Sequence, residues 1–99
     1  MTLQDQPAYI IRMRAKPGSG DKLFELATIG VEKSGASDRF IILREDEDPD
    51  VLWTVEVFRS DASKDGYGTA RWLTSRGTRF WDLLAEQPMR IPVYPDSAA

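Results

Sequence analysis

Glu56 lies in the middle of Val51 to Phe58, a run reading Val-Leu-Trp-Thr-Val-Glu-Val-Phe. Its β-branched and aromatic neighbours belong inside a sheet, where an ionised carboxylate is costly unless it has a partner or a task. Glu56 is therefore either a general base in a dry pocket or half of an ion pair with an arginine of a neighbouring strand. Phe58 shares its strand face, two residues on. Trp72, Arg76 and Arg79 form a second group, spaced four and three apart, which places an indole and two guanidinium groups on one side of a helix where they can stack. That side is either one wall of a pocket between helix and sheet or a rim on the helix surface. Tyr67, between Gly66 and Gly68, is placed to gate a cavity.

What the chain lacks narrows the chemistry further. It contains no Cys, no His and no Asn. Disulfides, thiol nucleophiles and thiolate metal sites are excluded, and so are the Ser-His-Asp triad and most transition-metal ligation. Asp46, Asp48 and Asp50 have the spacing that opens a calcium loop, but Val51 stands where that loop requires Gly and Val57 where it requires a bidentate Glu. The three aspartates read as a solvated turn, and no metal is expected there.

The elements that must position these residues follow from periodicity. Tyr9 to Lys16 alternates as a strand, and Pro17-Gly18-Ser19-Gly20 breaks it. Asp21 to about Ser34 repeats apolar residues at helical spacing. Asp38 to Glu45 and Val51 to Phe58 are strands joined by the turn 46–50, which suits an antiparallel hairpin. After a connection from Ser60 to Gly68, the helical period returns from Thr69 to Glu86, with Ala70, Leu73, Gly77, Phe80 and Leu84 on one stripe. Phe24, Leu73, Phe80 and Trp81 are expected in the core. Met89 to Tyr94 is a last strand, confined to a sheet edge because Pro92 has no N–H for the ladder.

Strand, helix, strand, strand, helix, strand is the order of the ferredoxin-like α+β fold, a four-stranded antiparallel sheet with two helices on one face. The chain reads as one domain over residues 1–99, with its core at about 8–94 and loose termini at 1–7 and 95–99. The first and third strands are then central, and Glu56 is expected to face Arg12 or Arg14.

The strands carry apolar residues on both parities, so the face without helices also needs cover, and a homodimer through that face is expected. The formal charge of −3 argues against nucleic acid as a partner. No run is long and apolar enough to span a bilayer, and a cytoplasmic location is expected.

Arg14-Ala15-Lys16-Pro17-Gly18 leaves the first strand, and Leu43-Arg44-Glu45-Asp46-Glu47-Asp48-Pro49 leads into Thr54-Val55-Glu56-Val57-Phe58. In these motifs the sequence resembles the antibiotic-biosynthesis monooxygenase domain family, small dimeric α+β barrels built from the same unit. The resemblance implies a cofactor-independent monooxygenase acting on a small aromatic, phenolic or quinone-type compound. It casts Glu56 as the base, Arg79 or Tyr67 as holder of the oxyanion, and Trp72, Arg76 and Phe58 as substrate contacts. The alternative is a non-catalytic ligand-binding or stress-related protein of the same fold. The chain departs from the family in having Arg71-Trp72 where many members carry a His, and the Asn-Trp-His set of the haem-degrading branch is absent.

Overall fold

The computed structural model of the chain describes residues 5–34, 37–60 and 80–96. In chain order these form β1 (Ala8–Arg14), α1 (Gly20–Ser34), β2 (Ser37–Arg44), β3 (Val51–Phe58), a short 3-10 turn (Trp81–Leu83) and β4 (Met89–Val93). The strands make one antiparallel sheet in the order β2-β3-β1-β4. This is the ferredoxin-like arrangement, with β1 and β3 central and the Pro92-bearing strand at an edge, where a missing ladder donor is tolerated. Among the described residues no helix is long and apolar enough to cross a membrane.

Register decides which side chains share a face. Tyr9 pairs with Glu56, Ile11 with Thr54 and Met13 with Leu52, while Phe40, Ile42 and Arg44 continue these rows into β2. This is the face that α1 covers, since Arg44 lies over the Phe24 ring and reaches Asp21, both on α1. Met13, Ala15, Leu23, Leu52, Phe80 and Leu84 form its buried cluster. Leu23, Leu52 and Phe58 are fully enclosed, and burying a side chain of this size contributes about 1.5–3 kcal/mol. The opposite face presents Ile10, Arg12, Ile41, Leu43, Trp53, Val55, Met89 and Ile91.

Four expectations are corrected in detail. Of the helix expected over Thr69 to Glu86, residues 69–79 lie outside the described residues, and its last part is a single 3-10 turn at Trp81–Leu83 followed by extended chain. Leu84 is extended and bridges Ala15, while Lys16 N–H donates to Leu83 O and Ala85 N–H donates to Arg14 O. Phe80 and Leu84 are buried as their stripe required, but the backbone of residues 83–85 pairs with the end of β1 rather than within a helix. Trp81 is 53% exposed and Phe24 38%, so neither is core. The start of the chain is ordered earlier than expected: Gln6 and Pro7 are buried, Gln6 Nε2 donates to Phe58 O and to Asp38, and Phe58 N–H donates to Pro7 O.

The aspartate turn is the fourth. Asp50 accepts from Gly18 N–H at 3.1 Å and Gly20 N–H at 2.9 Å, and its carbonyl accepts from Ala15 N–H at 2.7 Å. A carboxylate from a distant loop thus binds the open amides at the start of α1, where negative charge is favoured. Gly18 takes a positive φ of 83° in the turn, which glycine adopts freely. Gly20 is required for a different reason: a Cβ there would stand 2.3 Å from Pro49 O and 2.9 Å from Asp50 Cα. Gly20→Ala is expected to lower stability by about 2–4 kcal/mol in urea unfolding, because the backbone it meets cannot rotate away.

Candidate functional site

Glu56 is 2% exposed and sits on the helix-covered face, flanked by Tyr9 of β1 and Phe40 of β2. It therefore does not face Arg12 or Arg14 as expected. Arg12 pairs with Trp53 and Arg14 with Val51, an odd number of residues from Glu56, and odd offsets point to the other face. The carboxylate instead accepts a hydrogen bond from Ser37 Oγ. Ser37 reaches it because of a bulge at Asp38, where β2 shifts register between Ser37 and Arg39. Ser37 would otherwise share the open face with Arg39, Ile41 and Leu43. The extra residue turns it over, which is how bulges re-aim a side chain.

The two arginines serve a separate network on the open face. Arg12 contacts Glu86 at 3.3 Å and Glu45 at 3.7 Å, and its guanidinium lies 5.8 Å from the Trp53 ring centroid. Arg14 contacts Asp48 at 2.9 Å and Glu86 at 3.5 Å. Each pair is partly exposed and individually weak. Together they tie the hairpin turn and residue 86 to the end of β1.

A cavity of about 420 Å³ opens on the helix-covered side between β1, β4 and residues 80–88. Ile11 and Met13 of the sheet face line it, with Phe80 and Trp81 of the turn. Among the described residues Gln87, Pro88 and Arg90 also line it. Arg90 pairs with Ile11 in the β1–β4 register, so strand parity directs it to this face. Its guanidinium lies 4.9 Å from the Tyr9 ring centroid. Tyr9 in turn meets Phe58 edge-on at 5.6 Å and neighbours Glu56. It is a half-open cleft of mixed lining, with Trp81, Gln87 and Arg90 exposed, and clefts that combine apolar surface with a few polar groups are a usual form of small-molecule site.

Of the residues singled out from sequence, Glu56 and Phe58 are close together, and neither is in this lining. Phe58 is fully buried against Tyr9. Tyr67, Trp72, Arg76 and Arg79 lie outside the described residues. Sequence reasoning missed Ile11, Met13, Gln87, Pro88 and Arg90. One signal for Arg90 was present: in Met-Arg-Ile-Pro-Val it shares strand parity with Pro92, a cation on the face that pairs with Tyr9 and Ile11.

No protein-family model and no curated protein sequence matches this chain. Solved structures do. A candidate antibiotic biosynthesis monooxygenase from Nitrosomonas europaea superposes with a TM-score of 0.77 at 21% identity, over 97% of this chain and 95% of that one. One from Chloroflexus aurantiacus gives 0.76 at 20%, over 95% and 96%. A protein of unknown function from Nitrosomonas europaea gives 0.74 at 19%, over 99% and 96%. The chain is similar to these along nearly its whole length, and at these identities the likeness establishes a shared fold.

Ser37→Ala removes a hydroxyl donor from a buried carboxylate without disturbing the strand backbone. A loss of about 1–3 kcal/mol is expected by urea unfolding, larger than an exposed Ser→Ala change would cause.

Proposed function

We propose that the chain is a member of the antibiotic-biosynthesis monooxygenase domain family and acts, as a homodimer, on a small aromatic, phenolic or quinone-type compound without a cofactor. The observation that supports this reading is the cavity on the helix-covered face of a sheet whose fold matches proteins named as candidate antibiotic biosynthesis monooxygenases. Its apolar surface suits a planar ring system, and Gln87 and Arg90 are the polar groups beside it.

The chemistry asked of the protein is modest. An electron-rich phenol or anthrone gives up a proton to solvent water at the open side of the cleft, its anion passes electrons to dioxygen, and a carbon–oxygen bond forms. One oxygen atom ends as a carbonyl and the other leaves as water; the electrons and protons come from the two C–H bonds of an anthrone methylene, or from one C–H and the O–H of a phenol. The cleft holds the ring against Ile11 and Met13 and orients it for reaction. Glu56 has a structural part in this reading. Its partner Ser37 and neighbours Tyr9 and Phe40 make it a fixed carboxylate of the sheet rather than the group that meets substrate.

The open sheet face supports the dimer. Ile41, Leu43, Met89 and Ile91 are each 41–53% exposed and lie around Trp53 and Val55, an apolar surface of the kind that a second copy covers.

Oxygen consumption should be followed with a panel of hydroquinones, naphthols and anthrones, with chelator present and nothing else added. Uptake above the autoxidation rate for at least one class is expected, and Ile11→Phe, which fills the cavity, should reduce it about tenfold or more. No uptake across the panel, with ligand-induced thermal shifts, would leave a binding protein of the same fold. For the dimer, light scattering at low micromolar concentration should give twice the monomer mass. Ile41→Asp should return it to monomer, since a carboxylate buried at the interface costs several kcal/mol or more. A wild-type monomer would refute the sheet-face dimer.

A further inference from the structure

Residues 83–93 run along β1 in two registers. Ala15 faces Leu84, with Lys16 N–H donating to Leu83 O and Ala85 N–H to Arg14 O, whereas further along Arg12 pairs with Met89. Between Arg14 and Arg12 stands Met13 alone, but Glu86, Gln87 and Pro88 all lie between Ala85 and Met89. The chain therefore carries an excess there, a large bulge of the kind that re-aims side chains at a sheet edge. Gln87 and Pro88 line the cleft together with Met13. Glu86 turns to the opposite face, where one carboxylate oxygen meets Arg12 Nη1 at 3.3 Å and Arg14 Nε at 3.5 Å. We infer that Glu86 is a positioning residue of the cleft: clamped by the two arginines that flank Met13, it sets how far Gln87 and Pro88 stand from Ile11 and Met13, and so the room a ligand finds. This deepens the reading proposed above and rests on that cleft being a ligand site.

The backbone alone does not fix the bulge. Among the described residues, its hydrogen bonding to β1 ends at Ala85 N–H and resumes with the β4 ladder that begins at Met89. Pro88 has no N–H to offer. The stretch is thus held at its two ends, and the polar contact that ties its middle to the sheet is the Glu86 carboxylate. The arginines, by contrast, do not depend on Glu86. Arg12 also reaches Glu45 at 3.7 Å and lies over the Trp53 ring, and Arg14 meets Asp48 at 2.9 Å. Taking the Glu86 carboxylate away leaves both cations partnered, so the cost falls on the placement of the bulge rather than on the sheet. Small displacements of a cleft wall matter to a ligand that must be held in one orientation. The Glu86 side chain is 52% exposed, which leaves its two pairs open to screening by salt.

The probe is 2-naphthol, uncharged at neutral pH, titrated calorimetrically into wild type and Glu86→Ala. The variant is expected to melt within about 3 °C of wild type and to bind 2-naphthol about fivefold more weakly. Sodium chloride supplies a readout that a purely stabilising residue would not move. A neutral ligand has no charge to screen, so binding that weakens about threefold between low and high salt in wild type, but not in Glu86→Ala, reports the clamp. Equal affinities in wild type and variant would overturn the inference and leave the cleft as a ligand site. A wild-type affinity that salt does not lower would do the same. If wild type fails to bind 2-naphthol, or if Ile11→Phe binds it as well as wild type does, the inference falls together with the reading it rests on. Should Glu86→Ala not fold, Glu86→Gln replaces it, since that change keeps the shape and removes the charge, and the same salt comparison decides.

Discussion

One aspartate sets the frame on which everything else is measured. Asp50 offers its carbonyl to Ala15 and its carboxylate to Gly18 and Gly20. The first contact fixes how the two central strands line up at one end. The second places the start of α1 directly above that end. Arg44 closes the same corner, donating to Pro49 O and contacting Asp21 at 2.8 Å. With register and helix entry pinned together, Leu52 and Leu23 meet in the buried cluster and the rows of the sheet face follow without further choice.

Much of this was legible in the chain. Val51–Phe58 was readable to its exact ends, because an acidic proline-bearing turn precedes it and β-branched residues fill it. The edge position of the last strand followed from Pro92 alone. Register was not legible. Pairing Tyr9 rather than Arg12 with Glu56 depends on a hydrogen bond from Ala15 to a loop carbonyl, and side-chain patterns with apolar residues on both parities fit more than one alignment. The end of the second helical pattern misled for a related reason. Phe80 and Leu84 needed burial, and a tight turn followed by an extended bridge buries them as well as a helix would. The cavity was hidden because it is made of ordinary strand residues, Ile11 and Met13, and of a segment after the turn whose course could not be read from its composition.

The two faces of the sheet are not independent. Glu86 is held by arginines of the open face, and the next residues in the chain, Gln87 and Pro88, line the cavity on the covered face. Residue 86 is the point where the chain passes around the end of β1. Anything that moves Arg12 or Arg14 on the open face therefore acts, through Glu86, on the segment that lines the cleft on the covered face.

The bulge at Asp38 has a meaning for how the chain finds this structure. β2 is an edge strand joined to β3 by a short hairpin, and apolar residues on both of its parities give little reason to prefer one alignment over a neighbouring one. Ser37 faces Glu56 only when the extra residue is accommodated. In a slipped pairing the hydroxyl points away, and the buried carboxylate loses that donor. The polar pair thus acts as a proofreader of strand alignment: it contributes little to a correct sheet compared with the apolar core, but it penalises an incorrect one at the moment the edge closes.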